Sequence, residues 1–168
     1  MIYLIGFMGV GKSTIAKKIA AKVNRKFIDT DKIIERIEKK TINNIFKEKG
    51  EEYFREVEKK TLRKIKKNQI VACGGGTPIF NNNMEYINKT GISIYLKDSI
   101  NSLLNKLKKT QNKRPLIKKL NRSELKKYIE LELIEREKIY KTATYTINIQ
   151  NKSAQEILRE INPLINSF

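Results

Sequence analysis

The sequence predicts an α/β fold, a parallel sheet with helices on both faces. Short apolar runs alternate along the chain with amphipathic helical stretches, which is typical of strand–helix–strand units. The runs are short and largely apolar, as strands covered on both faces are. The chain has 168 residues, a length that suits one compact domain with its own core.

The predicted strands are the apolar runs themselves, and the first of them stops at a glycine. In parallel sheets ligands bind at the carboxyl ends of the strands, so chemistry is expected directly after each run. The strands run from Ile2 to Ile5, Phe27 to Asp29, Ile70 to Cys73, Ile92 to Leu96, and Tyr145 to Ile149.

Apolar residues spaced three or four positions apart predict the helices between these strands. They run from Ser13 to Val23, Asp31 to Glu38, Thr41 to Lys49, Glu51 to Lys66, Asn83 to Lys89, Ile100 to Lys109, Ser123 to Tyr140, and Ser153 to Ile161.

A glycine-rich loop follows the first strand. Residues 6–14 read GFMGVGKST, which has the spacing G-x-x-x-x-G-K-[ST]. The glycines let backbone N–H groups turn toward phosphate oxygens, and the following helix directs its positive end at the same anion. A chance glycine-rich turn is the alternative, but the flanking strand and helix favour a nucleoside triphosphate site. Its predicted residues are Gly9, Val10, Gly11, Lys12, Ser13 and Thr14.

This motif alone does not separate kinases, GTPases and motors, but the chain length favours a small-molecule kinase. No window approaches the length of a transmembrane helix and no signal-peptide pattern precedes the first strand, so we expect a cytoplasmic protein. Cys73 is the only cysteine, which excludes an internal disulfide and a cysteine-cluster metal site.

Lys and Arg number 36 against 18 Asp and Glu, a formal charge of +18. The excess is mostly lysine scattered along the chain without an RNA-binding signature, so we expect attraction of anionic ligands and no nucleic-acid or membrane partner. The chain has no histidine. Proton transfer must therefore use a carboxylate, lysine, tyrosine or water.

Two other strand ends carry candidate site residues. Asp29 and Asp31 end the second strand, where one can bind Mg²⁺ or its waters, although Asp31 could instead cap the next helix. Residues 74–76 are three consecutive glycines after the third strand. A tight turn needs only one or two, so three indicate close approach of a ligand or another backbone.

Together these stretches resemble the shikimate kinase family. The matching segments occur in the family's order and cover almost the whole chain. They are GFMGVGKST (6–14), FIDTD (27–31), INNIFKEKGEEYFREVE (42–58), CGGGTP (73–78), KRPLI (113–117) and the region of Arg136 and Tyr140.

The resemblance implies ATP-dependent phosphorylation of the 3-hydroxyl of shikimate. It also implies a single domain over residues 1–168 with the three-layer α/β/α P-loop kinase fold, which is nucleoside monophosphate kinase-like. Its five-stranded parallel sheet would have the order 2-3-1-4-5. Shikimate-binding helices are expected at about 31–62 and a lid at about 110–122, where Pro115 prevents a continuous helix.

The resemblance also implies roles for individual residues. Lys12 would reach the β and γ phosphates, and Mg²⁺ would bind Ser13 and, through water, Asp29. Asp31 would orient the attacking hydroxyl, either as a general base that takes its proton or only as a positioning group. Arg114 in the lid would reach the ATP phosphates, or belong to a solvated loop with incidental cations. The shikimate ligands would be Asp31, Arg55, Gly75, Gly76 and Arg136, with Phe46 and Phe54 as an apolar wall.

Other interpretations remain open at this stage. Arg55 and Arg136 lie among glutamates, as on a solvated helix face, and Phe46 and Phe54 could be core aromatics. Lys108 and Lys109 stand where many members have an arginine near the adenine. Alternative functions are another small-molecule P-loop kinase, for gluconate or a nucleoside monophosphate, or an inactive nucleotide- or RNA-binding protein. We expect a monomer.

Overall fold

The computed structural model describes residues 1–111 and 117–165. Strands and helices alternate as the sequence predicts, and most of their ends lie within two residues of the predicted ones. The strands are β1 (Ile2–Ile5), β2 (Lys26–Asp29), β3 (Gln69–Ala72), β4 (Ile92–Lys97) and β5 (Tyr145–Asn148). The helices are α1 (Lys12–Lys22), α2 (Thr30–Glu38), α3 (Ile42–Lys64), α4 (Asn83–Thr90), α5 (Ile100–Lys108), α6 (Arg122–Tyr140) and α7 (Ala154–Ile165).

The strands form one parallel sheet in the order β2-β3-β1-β4-β5, which confirms the predicted order. β1 lies in the middle, where Leu4 pairs with Ala72 of β3 and with Ile94 of β4. The carboxyl end of β1 is therefore at the centre of the sheet edge. The loops after β2 and β3 open beside it, which is where ligands bind in such folds.

Successive residues of β1 point to opposite faces of the sheet and enter two separate core clusters. Ile2 and Leu4 pack with the apolar sides of α1, α5, α6 and α7. Tyr3 and Ile5 pack on the other face with residues of α3, α4 and the end of α6. Because all four residues of β1 are buried, the glycine-rich loop begins at the end of a strand that is packed on both faces.

The two helices predicted at 41–49 and 51–66 are joined as α3, with a sharp break at Gly50. Gly50 has φ 79° and ψ 174°, a conformation that residues with a Cβ rarely adopt. A small cluster of Ile34, Ile45 and Phe54 ties both halves of α3 to α2. The bend thus wraps α3 around α2 and brings its second half to the loop after β3.

None of the helices within the described residues is long and apolar enough to cross a membrane.

Candidate active site

The glycine-rich loop folds around the ammonium group of Lys12. This nitrogen donates to the carbonyl oxygens of Gly6 at 2.8 Å and Phe7 at 2.9 Å, and the side chain is almost fully buried. Gly11 is the N-cap residue of α1, with φ 104°, and makes no side-chain cap hydrogen bond. The amino end of α1 therefore presents backbone N–H groups that an anion can bind.

A cavity of about 300 Å³ opens over this loop. The loop residues Gly9, Gly11, Lys12, Ser13 and Thr14 form one wall. The opposite walls come from other segments: Asp29, Asp31, Cys73, Gly74, Gly75, Lys106 and Thr110. Val10, which the motif also assigns to the nucleotide, is buried in the core and is absent from this lining.

Asp29 connects the loop to α2. One carboxylate oxygen accepts from the Ser13 hydroxyl at 2.6 Å, and the other accepts from the backbone N–H of Lys32 at 3.2 Å. Asp29 is therefore the N-cap of α2, and Asp31, the alternative cap considered from the sequence, lies in the first helical turn. The Ser13 and Asp29 oxygens are adjacent at the cavity surface, a donor set that suits Mg²⁺.

Asp31 is a partly buried carboxylate that lines the cavity. Burial, together with the nearby charges of Asp29 and Glu58 and against the opposing charge of Lys12, raises the pKa of Asp31 to about 6. A carboxylate with such a pKa is ionised at neutral pH but holds a proton more readily than an exposed aspartate. That property suits a group that accepts a proton during a reaction.

The three glycines after β3 fit between charged side chains. A Cβ on Gly74 would lie 2.5 Å from an Asp31 carboxylate oxygen, and one on Gly76 would lie 2.6 Å from Nη1 of Arg55. A Cβ on Gly75 would approach Nη1 of Arg136 at 3.6 Å. Side chains therefore approach Gly74 and Gly76 closely, and Asp31, Arg55 and Arg136 lie around one short loop. The close approach of a ligand, which the three glycines suggested, stays a prediction.

Arg55 is held by glutamates and aromatic rings. Its Nη1 donates to Glu58 at 2.8 Å and its Nη2 to Glu51 at 3.0 Å. The guanidinium carbon lies 4.0 Å from the Phe80 ring centre and 5.0 Å from that of Phe54. Only 14% of the side chain is exposed, so this arginine is not part of a solvated helix face.

Glu58 is the buried partner that fixes Arg55. Its side chain is 1% exposed, and its second oxygen accepts from the Thr77 hydroxyl at 2.6 Å. Because Thr77 follows the glycines directly, this carboxylate links α3 to the loop. An unpaired carboxylate at such a depth would be costly, so the cluster is stable only as a unit.

Arg136 approaches the same loop from α6. It pairs with Glu132, one turn earlier on the helix, and its guanidinium carbon lies 5.6 Å from the ring centre of Phe7 in the glycine-rich loop. Its side chain is also only 14% exposed. Arg55 and Arg136, the two residues predicted to bind the carboxylate of the substrate, are thus held near Gly75 and Gly76.

Phe46 and Phe54 stack with 4.7 Å between ring centres. Phe54 is buried in the small cluster around α2, and Phe46 packs against that cluster. Neither lines the cavity, although both rings lie near Arg55. Core packing, the alternative considered from the sequence, therefore accounts for most of their contacts.

Arg114 and the central part of the predicted lid lie outside the described residues. On the α5 side, Lys106 and Thr110 line the cavity, whereas Lys108 and Lys109 do not. The Lys106 ammonium donates to the buried carboxylate of Asp98 at 2.6 Å. The sequence prediction missed this lysine, because nothing local distinguishes it from the lysines around it.

Within residues 1–111 and 117–165, no group of three or more acidic or cysteine side chains could hold a metal ion. A metal at this site would therefore depend on phosphate and water oxygens besides the Ser13 and Asp29 oxygens, as is usual for Mg²⁺.

Comparisons with known proteins agree with this geometry. A family model described as shikimate kinase matches residues 8–166. A shikimate kinase of Azobacteroides pseudotrichonymphae is 41% identical over 98% of both chains. One from a Sulfurihydrogenibium species is 42% identical over 95% of this chain and 94% of that protein.

Solved structures show the same relationship. The shikimate kinase from Bacteroides thetaiotaomicron superposes with a TM-score of 0.91 at 33% identity, covering 98% of this chain and 97% of that one. The shikimate kinase from Acinetobacter baumannii in complex with shikimate gives a TM-score of 0.89 at 33% identity, covering 99% and 92%.

Proposed function

The chain belongs to the shikimate kinase family, and we propose that the cavity over its glycine-rich loop carries the family's reaction with the residues assigned below. That reaction transfers the γ-phosphoryl group of ATP to the 3-hydroxyl of shikimate and yields 3-phosphoshikimate and ADP. It is a step toward chorismate and the aromatic amino acids. One observation carries the assignment: the phosphate loop and Asp31 line a single cavity.

ATP would bind with its phosphates on the loop of residues 9–14. Gly11 makes no side-chain cap hydrogen bond at the amino end of α1, and the backbone N–H groups of the first helical turn would donate to phosphate oxygens. Lys12 would exchange its carbonyl contacts with Gly6 and Phe7 for the β and γ phosphates. Its buried position lets it stabilise negative charge more strongly than an exposed lysine could.

Ser13 would ligate Mg²⁺ directly, and Asp29 would do so through water. The fit rests on their adjacent oxygens, which are 2.6 Å apart at the cavity wall, and on the preference of Mg²⁺ for oxygen ligands and retained waters. When bound, the ion would neutralise charge on the phosphates.

Shikimate would bind with its carboxylate between Arg55 and Arg136. Planar guanidinium groups make paired, charge-assisted hydrogen bonds to a carboxylate that lysine cannot reproduce. Glu51 and Glu132, which hold these arginines, are more exposed than Glu58. An incoming carboxylate can therefore take their place while Glu58 keeps Arg55 in position.

Asp31 would accept a hydrogen bond from the 3-hydroxyl and take its proton as phosphoryl transfer proceeds. The backbone N–H groups of Gly75 and Gly76 would complete the acceptor site, with Phe46 and Phe54 behind Arg55 as apolar support. Arg114 from the lid would add positive charge near the transferring group. The domain would act as one unit, residues 1–168, as a monomer in the cytoplasm.

The test is shikimate-dependent ADP release with MgATP, with gluconate and nucleoside monophosphates as parallel acceptors and the Lys12→Ala protein as a blank. Turnover with shikimate alone is the expected result. Turnover with another acceptor, or none from a folded protein that binds ATP, would contradict the proposal.

A further inference from the structure

We propose that Tyr140 is a positioning residue for acceptor binding, because its hydroxyl fixes the peptide group that carries the Gly76 N–H. The inference rests on the proposed function, in which this N–H is a donor to shikimate. It extends the site beyond the residues that touch the acceptor, to the end of α6.

Tyr140 is the last residue of α6 and is fully buried. Its hydroxyl donates to the carbonyl oxygen of Gly75 at 2.5 Å, a contact between segments 65 residues apart. Its ring packs against that of Tyr95, with 5.1 Å between ring centres. The Tyr95 hydroxyl donates elsewhere, to Glu137 of α6, at 3.1 Å. Tyr140 is thus held both through its hydroxyl and through its ring.

The carbonyl of Gly75 and the N–H of Gly76 belong to one planar peptide group. The peptide bonds of the described residues are trans, so the oxygen and the amide hydrogen of this group point in opposite directions. Glycines on both sides leave the group free to rotate, because a residue without a Cβ has few forbidden conformations. A hydrogen bond that holds the oxygen therefore also fixes where the Gly76 N–H points.

The loop leaves this donor available. The N–H groups of Thr77 and Ile79 donate to the carbonyls of Gly74 and Gly76 at 3.2 and 2.9 Å. Those of Gly75 and Gly76 donate to no group within residues 1–111 and 117–165. Arg55 lies against Gly76. A carboxylate or hydroxyl oxygen of a bound ligand can therefore accept a hydrogen bond from the Gly76 N–H.

Tyr140 also lies one helical turn after Arg136, so one helix end supplies both a proposed acceptor ligand and the group that orients a second one. Burial raises the pKa of Tyr140 to about 12, while the charge of Arg136 and its hydrogen-bonding contact with the Tyr140 hydroxyl act in the opposite direction. The hydroxyl is therefore protonated at neutral pH and can act as the donor.

The experiment compares Tyr140→Phe with two matched variants that each lose one buried hydroxyl from the same core cluster. Tyr3→Phe removes the hydroxyl that lies 2.9 Å from the Thr90 hydroxyl, and Tyr95→Phe removes the one that contacts Glu137. Tyr140→Phe should raise the KM for shikimate about five- to tenfold, the effect of losing one well-oriented hydrogen bond. Its kcat and its KM for ATP should stay within about twofold of wild type on the same reasoning.

Tyr3→Phe and Tyr95→Phe should leave all three constants nearly unchanged. An unchanged KM for shikimate in Tyr140→Phe would overturn the inference, and so would an equal rise in all three variants, which would indicate a packing effect. If the wild type has no shikimate-dependent turnover, the proposed function itself fails and this inference fails with it. An active wild type with an unaffected Tyr140→Phe protein refutes the inference alone.

A second measurement observes the Gly76 amide directly, and its first part needs only the wild-type protein. In wild-type protein labelled with ¹⁵N-glycine, the chain's eight glycines give few amide signals, and shikimate is added to saturation. The Gly76 amide should shift, and in Tyr140→Phe it should already differ before shikimate is added. If the Gly76 amide signal of the wild type does not shift when shikimate is added, the inference is overturned.

Discussion

The proposed nucleotide half and the proposed acceptor half of the active site are built in different ways. The nucleotide half comes from one stretch, residues 6–14, in which Lys12 is held by carbonyl groups of the same loop. The acceptor half brings Asp31, Arg55 and Arg136 from three helices to the glycines after β3. Local backbone geometry thus determines the first half, and long-range packing determines the second.

The partners of the cations differ as well. Lys12 donates to two backbone carbonyls of its own loop, and its charge acts on Asp31, whereas Arg55 and Arg136 are paired with glutamates. A phosphate on the loop would displace these carbonyl contacts, but an acceptor carboxylate would replace one carboxylate by another. Changes in the packing around Arg55 and Arg136 can therefore alter the selectivity for the phosphoryl acceptor and leave nucleotide binding intact.

The largest expected effect is a loss of turnover when the nucleotide half is disrupted at Lys12. Lys12→Ala should lower kcat on the order of 1,000-fold with every acceptor, because it removes a buried positive charge beside the transferring group. ADP release measures the loss. Lys17→Ala, which removes an exposed lysine of the same helix, is the matched control and should retain its rate. Near-normal turnover in Lys12→Ala would disprove the assignment of the phosphate site.

The next largest effect distinguishes the two halves, because it should change shikimate binding but not ATP binding. Arg136→Ala should raise the KM for shikimate by about 10- to 100-fold, the loss of hydrogen bonds between charged groups, while the affinity for ATP stays close to normal. Calorimetric titration with each ligand checks this. Lys138→Ala removes an exposed, glutamate-paired cation of α6 and serves as the control. Weakened ATP binding with normal shikimate binding would reverse the assignment of the halves.

The activity toward shikimate should also depend on pH, through Asp31 in the acceptor half. Because the pKa of Asp31 is raised to about 6, its carboxylate is lost as the pH falls through that value. The kcat/KM for shikimate should then drop about tenfold per pH unit below the pKa. ATP affinity, measured by calorimetry over the same range, should not follow the same curve. A flat activity profile down to pH 5 would show that the ionised carboxylate is not required.

The smallest expected effect is on stability. The raised pKa of Asp31 means that its contribution to folding is fully present below the unfolded-state pKa and is lost as the pH rises through about 6. Above that pH the folded protein carries a buried charge, so Asp31→Asn should be more stable than wild type at pH 8 by about 1–3 kcal/mol. Urea unfolding at several pH values measures this difference.

The gain in Asp31→Asn should shrink as the pH is lowered toward 5, where the wild-type carboxyl is protonated. Glu52→Gln, which neutralises an exposed carboxylate of α3, should show no such pattern. Equal or lower stability of Asp31→Asn at pH 8 would mean that hydrogen bonds made by the carboxylate outweigh its burial.

The sequence by itself determined the features that depend on local spacing. The apolar runs predicted the five strands, and GFMGVGKST after the first of them predicted the phosphate loop, because glycine positions and a following helix are sufficient to build it. The family resemblance supplied the strand order, which the sheet confirms. Even the break at Gly50 was implied by two predicted helices in place of one.

Only the tertiary structure decided which of many similar side chains meet at the site. Glu58 and Tyr140 belong to matching segments, but their contacts with Arg55 and with Gly75 cross large sequence distances. Lys106 rather than Lys108 or Lys109 reaches the cavity, because the direction of α5 and the buried Asp98 select it. Phe46 and Phe54 likewise pack behind Arg55 instead of lining the cavity. Which side chains are buried, and which groups they contact, depends on how segments distant in the sequence pack together. Local sequence patterns do not predict this packing.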